Sequence, residues 1–272
     1  MSYKLCSLNG KIIDSKDATI SVFNIEYTYG FGVYEHIRVV NGIPYFCAEH
    51  LDRLMQSARM IGLEHALNPA TVSQWIETLL NRLPSESYNI KILLIGGKTA
   101  NEAQCYILPL PALFAKKEWY QKGVSMVSVQ YERPFPQAKT LSMLPSYLAY
   151  RIARTADCYD ALSIDGEGNI REGTRTNIVF VKGMVIYKPP QELILAGVTQ
   201  AVVLECAKKL RVAVKEQPLP YSTLRNYDGA FLTSTSVGVV PVKQIDDYEF
   251  PAIPPLVRKL GSAYDEFVRR RH

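Results

Sequence analysis

Apolar and polar residues alternate over short runs early in the chain and change to helical spacing further on. Lys4–Leu8 and Lys11–Ile13 flank Asn9-Gly10, and His36–Val40 and Ile43–Phe46 flank Asn41-Gly42. An Asn-Gly pair supplies the two positive-φ positions of a type I′ turn, so each flanked pair predicts a β-hairpin. Glu49 to Ile61 then reads as a helix. Leu51, Leu54, Met55 and Ala58 fall on one face, with Asp52, Gln56 and Arg59 off it. Ala70 to Leu83 predicts a second amphipathic helix, ended by Pro84. Strands follow at Ile90–Ile95 and Cys105–Leu108. Helices set against antiparallel strands point to an α+β arrangement for this half.

The stretch from Pro109 to Lys122 opens Pro-Leu-Pro and carries Lys116-Lys117-Glu118, which marks a break in the chain. We place an N-terminal domain at 1–115, a linker at 116–122 and a C-terminal domain at 123–272. Leu113, Phe114, Trp119 and Tyr120 are expected to pack rather than hang free. The second half predicts a strand at Val124–Val129, then a helix of about a dozen residues ending at Asp157. Strands are expected at Ala161–Asp165, Ile170–Glu172, Asn177–Lys182 and Met184–Tyr187, and later at Ala213–Gln217, Ala230–Thr235 and Val239–Ile245. Helices are expected at Thr199–Leu210 and Leu256–Arg270.

The composition is that of an ordinary globular chain: 272 residues, 47% hydrophobic, 21% charged, net charge +5. Basic residues are scattered, and Arg269-Arg270-Arg271 reads as a solvated tail, so no nucleic-acid partner is expected. The five cysteines are widely spaced and show no CxxC, so neither a disulfide framework nor a metal site is expected. No stretch approaches a membrane span and the start of the chain has no apolar signal core, so the expected setting is cytoplasmic.

The candidate chemistry lies in three places. Lys139 sits among small and apolar neighbours, in Ala138-Lys139-Thr140-Leu141. Burial favours a neutral amine, the nucleophile that makes a Schiff base. Glu172 ends a strand before glycine, where it is either a solvated turn residue or a carboxylate for a protonated ring nitrogen. Gly197-Val198-Thr199 opens a helix, which is either an ordinary cap or a phosphate cup. Thr233-Ser234-Thr235-Ser236 adds hydroxyls, and Arg53 lies near the buried edge of its helix. The four histidines form no HExxH, and there is no GxSxG, Walker A lysine or GxGxxG.

In this order the pieces resemble the class IV pyridoxal-phosphate aminotransferases, which include D-amino acid and branched-chain aminotransferases and aminodeoxychorismate lyases. Tyr29-Gly30-Phe31-Gly32-Val33-Tyr34-Glu35, His50-Leu51-Asp52-Arg53-Leu54, Lys139-Thr140-Leu141, Glu172-Gly173-Thr174-Arg175-Thr176-Asn177, Gly197-Val198-Thr199 and Thr233-Ser234-Thr235 carry the resemblance. It implies the two-domain α+β fold type IV architecture, with pyridoxal 5′-phosphate between the domains and a homodimeric assembly. It implies Lys139 as catalytic lysine, Glu172 on the pyridine nitrogen, and Arg53, Val198, Thr199 and Thr235 on the phosphate. The implied reaction is transamination between an amino acid and a 2-oxo acid. The alternative is aminodeoxychorismate lyase, releasing pyruvate and 4-aminobenzoate.

The departures bear on substrate. Tyr27 matches the family's carboxylate tyrosine. Where D-amino acid aminotransferases carry an arginine and a histidine, this chain has Gly96-Gly97-Lys98-Thr99-Ala100-Asn101. Lys98 and Arg175 therefore join Tyr27 as candidate substrate residues. His36 follows Glu35 where the lyases often carry threonine, which leans towards transfer.

Overall fold

The computed structural model describes residues 3–112 and 115–272 and divides the chain into two compact units. The expected packing of Leu113 and Phe114 lies outside the described residues. Among the described residues no helix is long and apolar enough to cross a membrane.

The first unit holds β1 (Leu5–Leu8), β2 (Lys11–Asp14), a short α1 (Ile25–Thr28), β3 (Gly32–Val40), β4 (Ile43–Pro44), α2 (Cys47–Met60), α3 (Pro69–Leu80), β5 (Tyr88–Ile95) and β6 (Gln104–Pro111). Both Asn-Gly hairpins form. Asn9 and Gly10 have φ of 48° and 83°, and Asn41 and Gly42 have 51° and 79°. The sheet runs β2-β1-β6-β5-β3-β4 and is antiparallel throughout. Alternation sends Val33, Ile37 and Val39 of β3 to one face, where they pack with Leu51, Leu54 and Ala58 of α2 and with Val72 and Ile76 of α3.

The second unit holds α4 (Lys117–Lys122), β7 (Val124–Gln130), α5 (Leu144–Thr155), β8 (Asp160–Ile164), β9 (Ile170–Gly173), β10 (Asn177–Lys182), β11 (Val185–Lys188), α6 (Val198–Lys209), β12 (Ala213–Glu216), β13 (Gly229–Ser234), β14 (Gly238–Ile245), β15 (Tyr248–Glu249) and α7 (Pro255–Arg271). Its sheet runs β12-β11-β10-β13-β14-β7-β8-β9, with β15 on β14. The pairs β14·β7, β7·β8 and β11·β12 are parallel. Phe180, Phe231 and Leu232 are fully buried in this sheet.

The division departs from the expected linear one. Ala138–Met143 belongs to the first unit, while residues 115–137 and Leu144–His272 form the second. The cause is backbone pairing. Tyr34 N–H donates to the Lys139 carbonyl (2.9 Å), Leu141 N–H donates to Gly32 O (2.8 Å), and Thr140 bridges Val33. The segment covers the free edge of β3, satisfying groups that no neighbouring strand reaches. The expected linker 116–122 is largely the helix α4.

Candidate active site

In the first unit, the backbone of Lys139 is pinned on two sides. Its carbonyl meets β3, and its N–H donates to Ser57 Oγ of α2 at 3.1 Å. Its Nζ lies 4.5 Å from the centre of the Tyr34 ring. Ser57, which the sequence reading missed, extends the row of His50 and Arg53. His50, Arg53 and Ser57, at i, i+3 and i+7, are all buried on α2 beside its apolar stripe. That spacing was the available signal.

Arg53 does not stand alone. Its Nε donates to Glu35 Oε1 at 2.6 Å and its Nη2 to Glu35 Oε2 at 2.8 Å. His50 Nδ1 lies 2.8 Å from the same Oε2. A carboxylate only accepts, so His50 Nδ1 carries the proton. Glu35 is 0% exposed. Burial pushes its carboxyl up, but Arg53 and His50 outweigh that and hold it well below the usual carboxylate range. Burial pushes the His50 imidazole below its ordinary range, against the pull of Glu35. The guanidinium is thereby fixed in place by a planar two-point contact.

In the second unit, Glu172 is buried and its two oxygens are divided between two sets of donors. Oε1 receives Arg133, from Nε at 3.0 Å and Nη2 at 2.6 Å. Oε2 receives Asn177 Nδ2 at 3.2 Å and the backbone N–H of Leu195 at 3.1 Å. Glu172 therefore reaches the turn that opens α6. Asn177 also donates to Leu195 O at 2.9 Å, and a Cβ on Gly197 would come within 2.0 Å of Asn177 Oδ1. Only glycine fits that approach.

The loop 173–176 is held by Asp160. Its carboxylate accepts from the N–H and hydroxyl of Thr174, the N–H of Arg175 and the hydroxyl of Thr176. Burial raises the Asp160 carboxyl above its ordinary range, against the pull of those donors. Neither Asp160 nor Arg133 was singled out in the sequence. Both act across long separations that local spacing does not reveal.

The start of α6 suits a phosphate. Gly197 at its N-cap makes no side-chain cap bond, so the first helical N–H groups lack the usual oxygen partner. Val198 and Thr199 are buried there. Thr233 is the cross-strand partner of Asn177, and its buried Oγ1 has no hydrogen-bond partner among the described residues. An orphaned hydroxyl on the face that carries Asn177 fits an anionic group. Thr235 follows the end of β13 and is partly buried.

The candidate substrate residues are placed less deeply. Tyr27 is 46% exposed on α1. Lys98 is exposed in the loop between β5 and β6, where its N–H donates to Glu102. Arg175 is exposed, with its guanidinium 4.6 Å from the Tyr150 ring centre and 5.2 Å from that of Tyr159. It donates to Tyr159 O and forms no ion pair among the described residues.

Known proteins identify the family. The family model "Amino-transferase class IV" matches residues 32–245. A Methanocaldococcus jannaschii protein, assigned by name as a branched-chain-amino-acid aminotransferase, is 33% identical over 253 residues, covering 88% of this chain and 87% of its own. A Bacillus licheniformis D-alanine aminotransferase is 29% identical over 250 residues, covering 88% and 87%. Among solved structures, a T.th. branched-chain amino acid aminotransferase with pyridoxamine 5′-phosphate superposes at a TM-score of 0.88. It is 26% identical and covers 98% of this chain and 95% of that one. With the family model matching most of its length and a relative 33% identical over 88% of it, the chain belongs to the class IV aminotransferase family.

Proposed function

We propose that the chain moves an amino group from an amino acid to a 2-oxo acid with pyridoxal 5′-phosphate as cofactor, and that Lys139 and Glu172 are its central residues. The observation that carries this reading is Glu172, a buried carboxylate paired with Arg133 and tied through Asn177 and Leu195 to an uncapped helix start. When bound, the cofactor draws electrons away from the substrate α-carbon.

The residues of the chain do the rest. Lys139 would hold the cofactor through its Nζ and, once released, would move the proton at the substrate α-carbon. Glu172 would face the ring nitrogen and favour its protonated form. Val198, Thr199 and Thr235 bind the phosphate, with Arg53 adding positive charge from the place Glu35 fixes for it. Tyr27, Lys98 and Arg175 contribute to substrate binding. The protein works as a homodimer in the cytoplasm. The exposed apolar row Leu144, Leu148 and Ile152 on α5 supports the first point, and five free cysteines support the second.

The relatives reported above are aminotransferases and none is a lyase, which favours transfer over the aminodeoxychorismate reaction. A single-turnover experiment without 2-oxo acid decides, using amino acids of both hands. A transferase converts the cofactor to its amine form once and stops. If no amino acid does this while aminodeoxychorismate yields pyruvate over many turnovers with an unchanged spectrum, the lyase is correct.

Glu172→Gln is expected to slow that first half-reaction by roughly thirty-fold, about 2 kcal/mol for a lost charge-assisted hydrogen bond. Cofactor affinity should fall much less. Unchanged half-reaction kinetics would show that the carboxylate serves only Arg133, Asn177 and Leu195.

A further inference from the structure

The first unit carries a second lysine on the ring that Lys139 touches. Lys91 Nζ lies 5.4 Å from the centre of Tyr34. Lys91 is the register partner of His36 across β3 and β5, so the two side chains leave the sheet together on one face. The rings of Tyr34 and His36 meet edge to face, with centroids 5.6 Å apart.

Alternation explains what is unusual here. On β3, Glu35 points to the face covered by α2, where Arg53 and His50 consume its charge. Tyr34 and His36 point to the opposite face. The positions that share that face, from Asn89 to Ile95 on β5 and from Gln104 to Leu110 on β6, include no aspartate or glutamate. Lys91 is half-buried and forms no hydrogen bond or ion pair among the described residues. Apart from the Tyr34 ring, no group among the described residues is paired with the charge of this half-buried side chain. His36 is not such a group: burial, then the charges of Lys139 and Lys91, push its imidazole down to about 3, so it is neutral and offers a hydrogen bond rather than a charge.

We propose that Lys91, with His36 beside it, anchors a carboxylate of the amino acid or 2-oxo acid substrate. This rests on the proposed transamination, because Lys139 Nζ on the same ring marks where the substrate amine must react. The carboxylate is either the one on the α-carbon or one at the end of a dicarboxylic side chain. The anchor fits a chain that has Gly96-Gly97-Lys98-Thr99-Ala100-Asn101 after β5, a stretch without arginine or histidine.

The test uses the loaded enzyme, with Lys91→Met to remove the charge and Lys91→Arg to keep it. Two readouts are taken: KM and kcat for alanine and glutamate of the reactive hand, and calorimetric binding of acetate and succinate, which cannot react. In Lys91→Met, KM rises roughly ten- to hundredfold, the loss expected for one hydrogen-bonded charge, while kcat falls far less. Binding of the unreactive acids weakens in parallel, and Lys91→Arg keeps most of it. A loss shared by alanine and glutamate, and by acetate and succinate, assigns the α-carboxylate. A loss confined to glutamate and succinate assigns the side-chain carboxylate. If the methionine variant does not fold, Lys91→Gln takes its place. Unchanged binding and KM, or equal losses in the arginine and methionine variants, would overturn the proposal. The calorimetric arm reads carboxylate binding even if no amino acid is transferred, so failure of the anchor and failure of the transaminase reading remain distinct.

Discussion

Lys139→Ala protein is expected to lose transamination by about four orders of magnitude or more, because in the role proposed for Lys139 one substitution removes both the covalent attachment and the proton-transfer group. General base catalysis alone accounts for roughly 10²–10⁴, and loss of the covalent step adds to it. The protein should still fold. The bonds that hold residues 139–141 to β3 and α2 are made by backbone groups, which alanine keeps: the carbonyl to Tyr34, the N–H to Ser57, and Leu141 to Gly32. Steady-state rates measure the loss. Borohydride reduction followed by peptide mapping should mark Lys139 in the parent and no lysine in the variant. Activity within tenfold of the parent would move the role elsewhere, and Lys91 on the same Tyr34 ring is the lysine to test next.

Glu35→Ala is expected to be the most damaging substitution for stability, by roughly 3–5 kcal/mol, since it strands the buried Arg53 cation without its partner. For a protein of this size that corresponds to a fall in Tm of about 10 °C. Denaturant unfolding of the first unit measures it. Replacing the pair together, as Glu35→Leu with Arg53→Met, should recover a large part of the loss, because a well-packed apolar pair has no charge to desolvate. The double variant should bind pyridoxal phosphate more weakly if Arg53 serves the phosphate. A single substitution costing under 1 kcal/mol would mean that water reaches Arg53 and that Glu35 is not its main partner.

How much was legible follows from how far each contact reaches along the chain. The Asn-Gly hairpins and the apolar stripe of α2 are local patterns, and both appear at the positions expected. Lys139, Glu172 and Gly197-Val198-Thr199 stood out only because common residue types occur in the order of a known family. What supports them did not stand out. Glu35 meets Arg53 across 18 positions, Arg133 meets Glu172 across 39, and Lys139 meets Ser57 across 82. No periodicity encodes such pairings. Lys91 escaped notice for another reason: within Ile90–Ile95 it reads as the ordinary polar residue of an alternating strand. Only the register with His36 and the place of Tyr34 single it out.

The return of Ala138–Met143 to the first sheet bears on how the chain is made. A ribosome delivers residues 1–113 well before the segment that completes the edge of β3. Until Lys139 and Leu141 emerge, the N–H of Tyr34 and the carbonyl of Gly32 have no strand to meet. An incomplete sheet with an open edge invites pairing with other nascent chains, and that hazard lasts for the time taken to add about thirty residues. The residue proposed to do the chemistry therefore arrives in the piece that closes the first unit, so a chain cut short before it lacks the closure and the reactive amine together.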